Sequence, residues 1–290
     1  MLAHRLLSLS KGAKASESGV IMELGLRGKV AVITGSSKGI GLAVAKQFLL
    51  EGTKVAICSR HQEELNTVED ELKKMGEVYS QVVDVTNDEE TYLFAKNVYE
   101  HFGSLNCWVN NVGAAASKVG DEYTYDQIEW ITKICFNSVI YGCQAAFRYM
   151  KETGGAIVNI SSLAARCGTV GRSTLYGPLK SAVVGLSTTF AGEYAAYGIR
   201  VNAVLPGFTI TPKVRETISQ EELNRNAEGT LLHRVASPEE IAKPIVFLSS
   251  DAASYITATS LEVSGGRSVV LNPSYSYDLK SAKAQEARLL

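Results

Sequence analysis

Ser162, Tyr176 and Lys180 are the side chains around which chemistry can be assembled in this 290-residue chain. Tyr176 and Lys180 are four apart, so a helix through them puts both on one face, about a turn apart. A phenol titrates near 10 and exchanges protons poorly at neutral pH. A nearby ammonium favours the phenolate and so moves the group toward useful acid–base work. Ser162 ends a predicted strand and can donate a hydrogen bond to a carbonyl or alkoxide oxygen. Such a set moves a proton on and off a substrate oxygen but cannot carry a hydride, which requires a cofactor. Taken singly, each residue has an ordinary reading: Tyr and Lys meet at this spacing in many helices, and a Ser after a strand caps a helix or closes a turn. The chemistry therefore depends on what surrounds them.

A place for a cofactor lies near the N-terminus. The apolar strand predicted over 29–34 runs into Gly35-Ser36-Ser37-Lys38-Gly39-Ile40-Gly41 and then into the helical pattern LAVAKQFLLEG, closed by Gly52 as a cap. Glycines let the backbone approach a pyrophosphate, and the helix N-terminus offers it free N–H groups. After the second strand, 54–58, come Ser59 and Arg60, which suit a 2′-phosphate where an acidic residue would suit a free ribose. Lys38 adds a second positive group. NADP(H) is the cofactor expected; NAD(H) is the alternative if Arg60 is only a solvated loop residue. Asp84, followed by Val85, ends strand 78–83, where it reaches an adenine amino group or caps helix 88–102.

The elements that must position these groups alternate regularly. Helices are predicted over 61–75, 88–102, 124–150 and 173–197, and from 238 through 250, with strands over 105–109, 156–160, 199–204 and 259–263. This pattern predicts an α/β fold: a single-domain Rossmann-type doubly wound parallel sheet of about seven strands with helices on both faces. The domain spans 26–270, and an insertion around 208–233 after strand 199–204 is placed to form a substrate lid. Pro178 is tolerated if its helix begins near 173 or 174, in the first turn. Between Lys180 and Tyr197 that helix carries one charge, Glu193. Such an apolar helix is covered on more than one side, which predicts a homodimer or homotetramer through helices 124–150 and 173–197. Residues 271–290 form a polar tail that packs over the site or extends freely.

Composition narrows the class. A net charge of −1, with no basic stripe interleaved with aromatics, argues against nucleic acid as a partner. No apolar run is long enough to predict a membrane span. Five cysteines without ligand spacing read as buried hydrophobes of a reducing compartment, and four scattered histidines suggest no metal site. A cytoplasmic location is expected. Residues 1–25 form a flexible leader; three basic residues before the first acid, Glu17, make a mitochondrial presequence the alternative.

Together these motifs resemble the short-chain dehydrogenase/reductase family over about 27–269. Thr34 to Gly41 matches its TGxxxGxG, Asn110-Asn111-Val112-Gly113 its NNAG, Tyr176 to Lys180 its YxxxK, and Pro206-Gly207 with Thr211 its PGxxxT. The resemblance implies Tyr176 as acid–base residue, with Lys180 holding the nicotinamide ribose and lowering the phenol's proton affinity. It further implies Ser162 polarising the substrate oxygen and Asn137 holding a water that links Lys180 to solvent. Asn111 and Gly113 would line the cofactor cleft and Thr211 would contact the carboxamide, with Pro206, Gly207 and Thr209 beside it. Four features depart from the pattern. Val112 replaces alanine, Ala258 and Ser264 replace the usual Gly and Asp, and fourteen residues separate Ser162 from Tyr176 where thirteen are usual. Ser161 stays a second candidate for the working serine, although strand alternation turns it away. A weaker likeness runs to bacterial 7α-hydroxysteroid dehydrogenases and to tropinone-reductase-like branches.

The expected activity is interconversion of a small-molecule ketone and a secondary alcohol with NADP(H), as a carbonyl reductase. A hydroxysteroid or other NAD-dependent alcohol dehydrogenase is the alternative, and a catalytically silent nucleotide-binding scaffold the reading from outside enzymology. Trp130, Tyr141 and Phe208 are aromatic residues that either line a substrate pocket or belong to the core.

Overall fold

Strand β1 (Val30–Ile33) is buried at every residue, as a strand covered on both sides of a sheet must be. It lies inside the sheet of the computed structural model, which describes residues 22–114, 122–168, 173–267 and 269–289. Helix α1 (Gly39–Leu50) follows it, then β2 (Lys54–Ser59), α2 (Gln62–Leu72), β3 (Val78–Val82), α3 (Asp88–Phe102) and β4 (Cys107–Asn110). The second half comprises α4 (Tyr125–Thr132), α5 (Ser138–Met150), β5 (Gly155–Ile160), α6 (Tyr176–Tyr194) and β6 (Ile199–Pro206). Then come α7 (Pro212–Thr217), α8 (Gln220–Glu228), α9 (Pro238–Ser249), β7 (Ser260–Val263) and α10 (Tyr275–Leu289).

Among the described residues the strands form one parallel sheet in the order β3-β2-β1-β4-β5-β6-β7. The order reverses between β1 and β4, which opens a crevice at the carboxyl ends of the strands, where ligands bind in such sheets. Alternation sends Ala31 and Ile33 to one face, with Phe48, Leu65 and Ile245 from α1, α2 and α9. Val30 and Val32 face the other side, with Phe94, Trp108, Met150 and Val183 among the helices α3, α5 and α6. Each such fully buried side chain contributes roughly 1.5–3 kcal/mol of transfer free energy. The predicted fold class is the observed one.

Three element boundaries differ from expectation. The helix expected over 124–150 is interrupted by a π turn at Lys133–Asn137, which the apolar periodicity cannot reveal because it continues through the turn. Helix α6 begins at Tyr176 itself, so Pro178 is its third residue and costs no intrahelical bond. The polar tail is helical from Tyr275 and docks on the segment after α8: Tyr277 Oη donates to the Leu231 carbonyl at 2.9 Å, and its ring stacks on His233 at 3.6 Å between centroids. The leader through residue 21 lies outside the described residues, as do residues 169–172 of the stretch between Ser162 and Tyr176 in which one extra residue is expected.

Candidate active site

The glycine loop is held by the neighbouring strand ends. Asn111 Nδ2 donates to the carbonyls of Thr34 and Gly35 at 3.0 and 3.1 Å, and Asn111 N–H donates to Thr34 Oγ1 at 3.0 Å. Gly35 has φ +63, and a Cβ there would meet Val112 Cγ2 at 2.6 Å. A Cβ on Gly41 would lie 2.5 Å from the Gly35 carbonyl oxygen, so both positions require the bare backbone. The valine that replaces alanine in the NNVG motif thus packs over the first glycine of the loop.

A buried polar relay places the other wall. Trp108 Nε1 donates to Asn110 Oδ1 at 2.7 Å, Asn110 Nδ2 to Asn159 Oδ1 at 2.8 Å, and Asn159 Nδ2 to Ser187 Oγ at 3.0 Å. This ties β4 and β5 to α6, with every buried donor answered. Ser161 Oγ donates to the Lys180 carbonyl at 2.7 Å, further fixing α6. The two serines are therefore separated: Ser161 is turned to the helix backbone, whereas Ser162 hydrogen-bonds Tyr176 and accepts from Ala164 N–H at 3.1 Å.

Lys180 is 2% exposed, and its Nζ donates to the Ile160 carbonyl at 2.8 Å. No carboxylate faces it among the described residues, and burial pulls its pKa down. Its ammonium lies 5.8 Å from the Tyr176 ring centre. Tyr176 itself is pushed up to about 12, because burial outweighs the hydrogen bond from Ser162. Desolvation sets the direction of this shift, and Lys180, expected from the sequence to lower the phenol, is not among its causes.

These groups open into a cleft of about 690 Å³ at the switch point. Of the residues singled out from the sequence, Lys38, Gly39, Ile40, Asn111, Gly113, Ser162, Tyr176, Lys180, Pro206, Gly207, Thr209 and Thr211 line it. Phe208 lines it too, whereas Tyr141 does not and Trp130 is 46% exposed on α4. Gly35 and Gly41 support the loop from behind. Thr211 Oγ1 accepts from Val214 N–H at 3.4 Å, capping α7.

The remaining sites lie outside the cleft lining. Ser37 donates to Glu64, buried Ser59 accepts from His61 N–H, and Arg60 is exposed. Asp84 does not cap α3; Asn87 does, accepting from Glu90 N–H at 3.2 Å. The Asp84 carboxylate instead accepts from Thr86 N–H and Oγ1, and Val85 is in the core. Asn137 ends the π turn, which packs against α6, the helix that carries Tyr176 and Lys180. Sequence reasoning missed Lys213, Asn226 and Arg267, which also line the cleft; all three lie outside the motifs, Lys213 on α7, Asn226 on α8 and Arg267 after β7.

The site fits a dinucleotide. The backbone is bare at Gly35, Gly39 and Gly41 of the loop, a Cβ at Gly113 would sit 2.9 Å from Lys180 Nζ, and the buried ammonium has a carbonyl but no anion as partner among the described residues. Glycine turn, helix N-terminus and a Tyr–Lys pair at the switch point of a parallel sheet define a nucleotide-dependent oxidoreductase. The family model described as enoyl-(acyl carrier protein) reductase matches residues 35–268. A tropinone reductase homolog of Arabidopsis thaliana is 34% identical over 248 residues, covering 84% of this chain and 94% of that protein. The L-sorbose reductase of Gluconobacter frateurii, solved with NADPH and L-sorbose, superposes with TM-score 0.80 and 30% identity, covering 86% of this chain and 100% of that one. A 7α-hydroxysteroid dehydrogenase solved with NADH and 7-oxo glycochenodeoxycholic acid has TM-score 0.80 and 29% identity, covering 86% and 98%. The chain belongs to the short-chain dehydrogenase/reductase family and is an oxidoreductase acting on CH–OH and C=O groups with NAD(P)(H).

Proposed function

We propose that this enzyme reduces a small-molecule ketone to a secondary alcohol with NADPH. The observation that carries this reading is the convergence of Ser162, Tyr176 and buried Lys180 on the cleft beside the glycine loop. The nicotinamide, when bound, supplies the hydride. Tyr176 holds its proton firmly at neutral pH and hands it to the substrate oxygen as negative charge develops there. Ser162 donates a second hydrogen bond to that oxygen, and the Lys180 charge stabilises it in a site with little water to screen it. Gly39, Ile40 and Gly113 leave room for the nucleotide, while Asn111 keeps the loop in place.

Lys38 and Arg60 support the choice of NADP(H), Lys38 on the cleft wall and Arg60 exposed beyond the end of β2. Asp84 and Val85 are assigned to the adenine end, and Asn137 to a water beside Lys180. An assembly of two or four copies is part of the same reading. It is supported by Ile128 and Trp130 on α4, 44% and 46% exposed, and by Tyr197 beyond α6 at 46%. Among the described residues no helix is long and apolar enough to cross a membrane.

The deciding experiment runs a panel of ketones with NADPH and with NADH on the wild type and on Tyr176→Phe. Turnover is expected in the wild type, with a higher kcat/KM for NADPH, and Tyr176→Phe should lose it while still binding the cofactor. A higher kcat/KM with NADH would overturn the cofactor choice. Unchanged turnover in Tyr176→Phe would overturn the mechanism.

A further inference from the structure

Four cations line the cleft among its described residues, Lys38, Lys180, Lys213 and Arg267, and no carboxylate does. Two are accounted for. Lys38 is paired with Glu64 beside the glycine loop, and Lys180 belongs to the proton-transfer site. Lys213 lies on α7 and Arg267 after β7, and neither forms an ion pair among the described residues.

Arg267 is half-buried and held by one nitrogen. Its Nη1 donates to the Asn226 carbonyl at 3.0 Å and to Asn226 Oδ1 at 3.1 Å. Asn226 is 8% exposed and is itself anchored, its Nδ2 donating to the Glu222 carbonyl one turn back along α8 at 2.7 Å. Both hydrogens of Nη1 are used by this clamp. The Nε–Nη2 edge has no partner among the described residues, and that edge presents the two parallel N–H groups that match a carboxylate. Capping the last turn of α8 accounts for the Nη1 contacts. It does not account for a guanidinium edge left over in a cleft that holds a phenol proton donor and no acid.

We infer that the substrate carries a carboxylate that pairs with Arg267 while its carbonyl meets Tyr176, making this a reductase of keto acids. Lys213, exposed on α7 at the cleft, adds charge of the same sign and draws the anion in. The inference rests on the reductase reading for the carbonyl end and on Arg267, clamped by Asn226 and aided by Lys213, for the acid end.

The test compares pyruvate, acetoacetate, levulinate and benzoylformate, each against its methyl ester, with NADPH and with NADH. At least one acid is expected to exceed its ester in kcat/KM by on the order of tenfold to a hundredfold, the range of a charge-assisted hydrogen bond pair. In Arg267→Gln that acid-to-ester ratio should fall toward one, and Arg267→Lys should recover part of it. A role confined to capping α8 would lower both rates and leave the ratio alone. Because Arg267→Gln can loosen α8, Lys213→Gln serves as a second variant: the acid's kcat/KM should fall two- to fivefold and lose part of its dependence on ionic strength. Esters equal to or better than acids throughout, or a ratio unmoved by Arg267→Gln, would overturn the inference. If no ketone turns over, calorimetric binding of the four acids decides it. Binding that Arg267→Gln abolishes keeps the acid site and sinks the reductase reading, and no binding sinks the acid site.

Discussion

Glu64 meets Lys38 Nζ with both carboxylate oxygens, at 3.2 Å each, and accepts a third hydrogen bond from Ser37 at 3.2 Å. The Lys38 contact, ahead of the others, holds the Glu64 carboxyl below its ordinary range. A 2′-phosphate drawn to Lys38 must compete with this carboxylate for the ammonium and is repelled by it, whereas a free ribose hydroxyl is not. Glu64→Gln is therefore expected to raise the NADPH-to-NADH ratio of kcat/KM about two- to tenfold, a modest effect because the pair is exposed and screened. Steady-state kinetics at low ionic strength check it. An unchanged ratio would remove Lys38 from the phosphate site.

Tyr176 fixes the pH behaviour of the two directions. With its pKa pushed up to about 12, the phenol is protonated across neutral pH and ready to act as an acid. Reduction should be nearly flat between about pH 6 and 9, while oxidation of the alcohol, which needs the phenolate, should rise by up to about tenfold per pH unit on the alkaline side. Parallel pH profiles of kcat/KM test this. Oxidation that levels off near neutrality would mean that bound cofactor lowers the phenol far more than this arrangement does. Tyr176→Phe should cost on the order of a hundredfold to ten-thousandfold in either direction.

Ala258 is held at φ +58, in the left-handed region, where the family pattern has glycine. Its N–H donates to the Val201 carbonyl at 2.8 Å, which keeps the strained residue in register beside β6. Ala258→Gly relieves the Cβ clash, partly offset by greater freedom of the unfolded chain, for a net gain of about 1 kcal/mol or less. The thermal midpoint should rise by about 2 °C, read by calorimetry. A lower midpoint would show that the residue is not strained.

The stack of Tyr277 on His233, with its hydrogen bond to Leu231, ties α10 to the end of the 208–233 segment. Tyr277→Ala removes both contacts. Amide exchange over 220–233 should accelerate several-fold and KM for the ketone should rise about threefold, with little change in the global melting transition. Exchange unchanged over that segment would mean that the tail only rests on it.

The local rules of the chain already determined the sheet. Buried parallel strands leave apolar runs, glycine turns follow them, and a Tyr–Lys spacing of four puts both groups on one helical face wherever the helix lies. The class of enzyme was legible for the same reason, because a glycine turn and a YxxxK each act within a few residues of sequence. Tertiary structure decided what depends on distance through space. Burial sets the phenol's proton affinity above its reference value, and it depends on everything packed around Tyr176. The charge of Lys38 is shared with Glu64 from another helix, and Asn87 rather than Asp84 caps α3. Arg267 meets Asn226 across 41 residues of chain, a pairing no local pattern encodes.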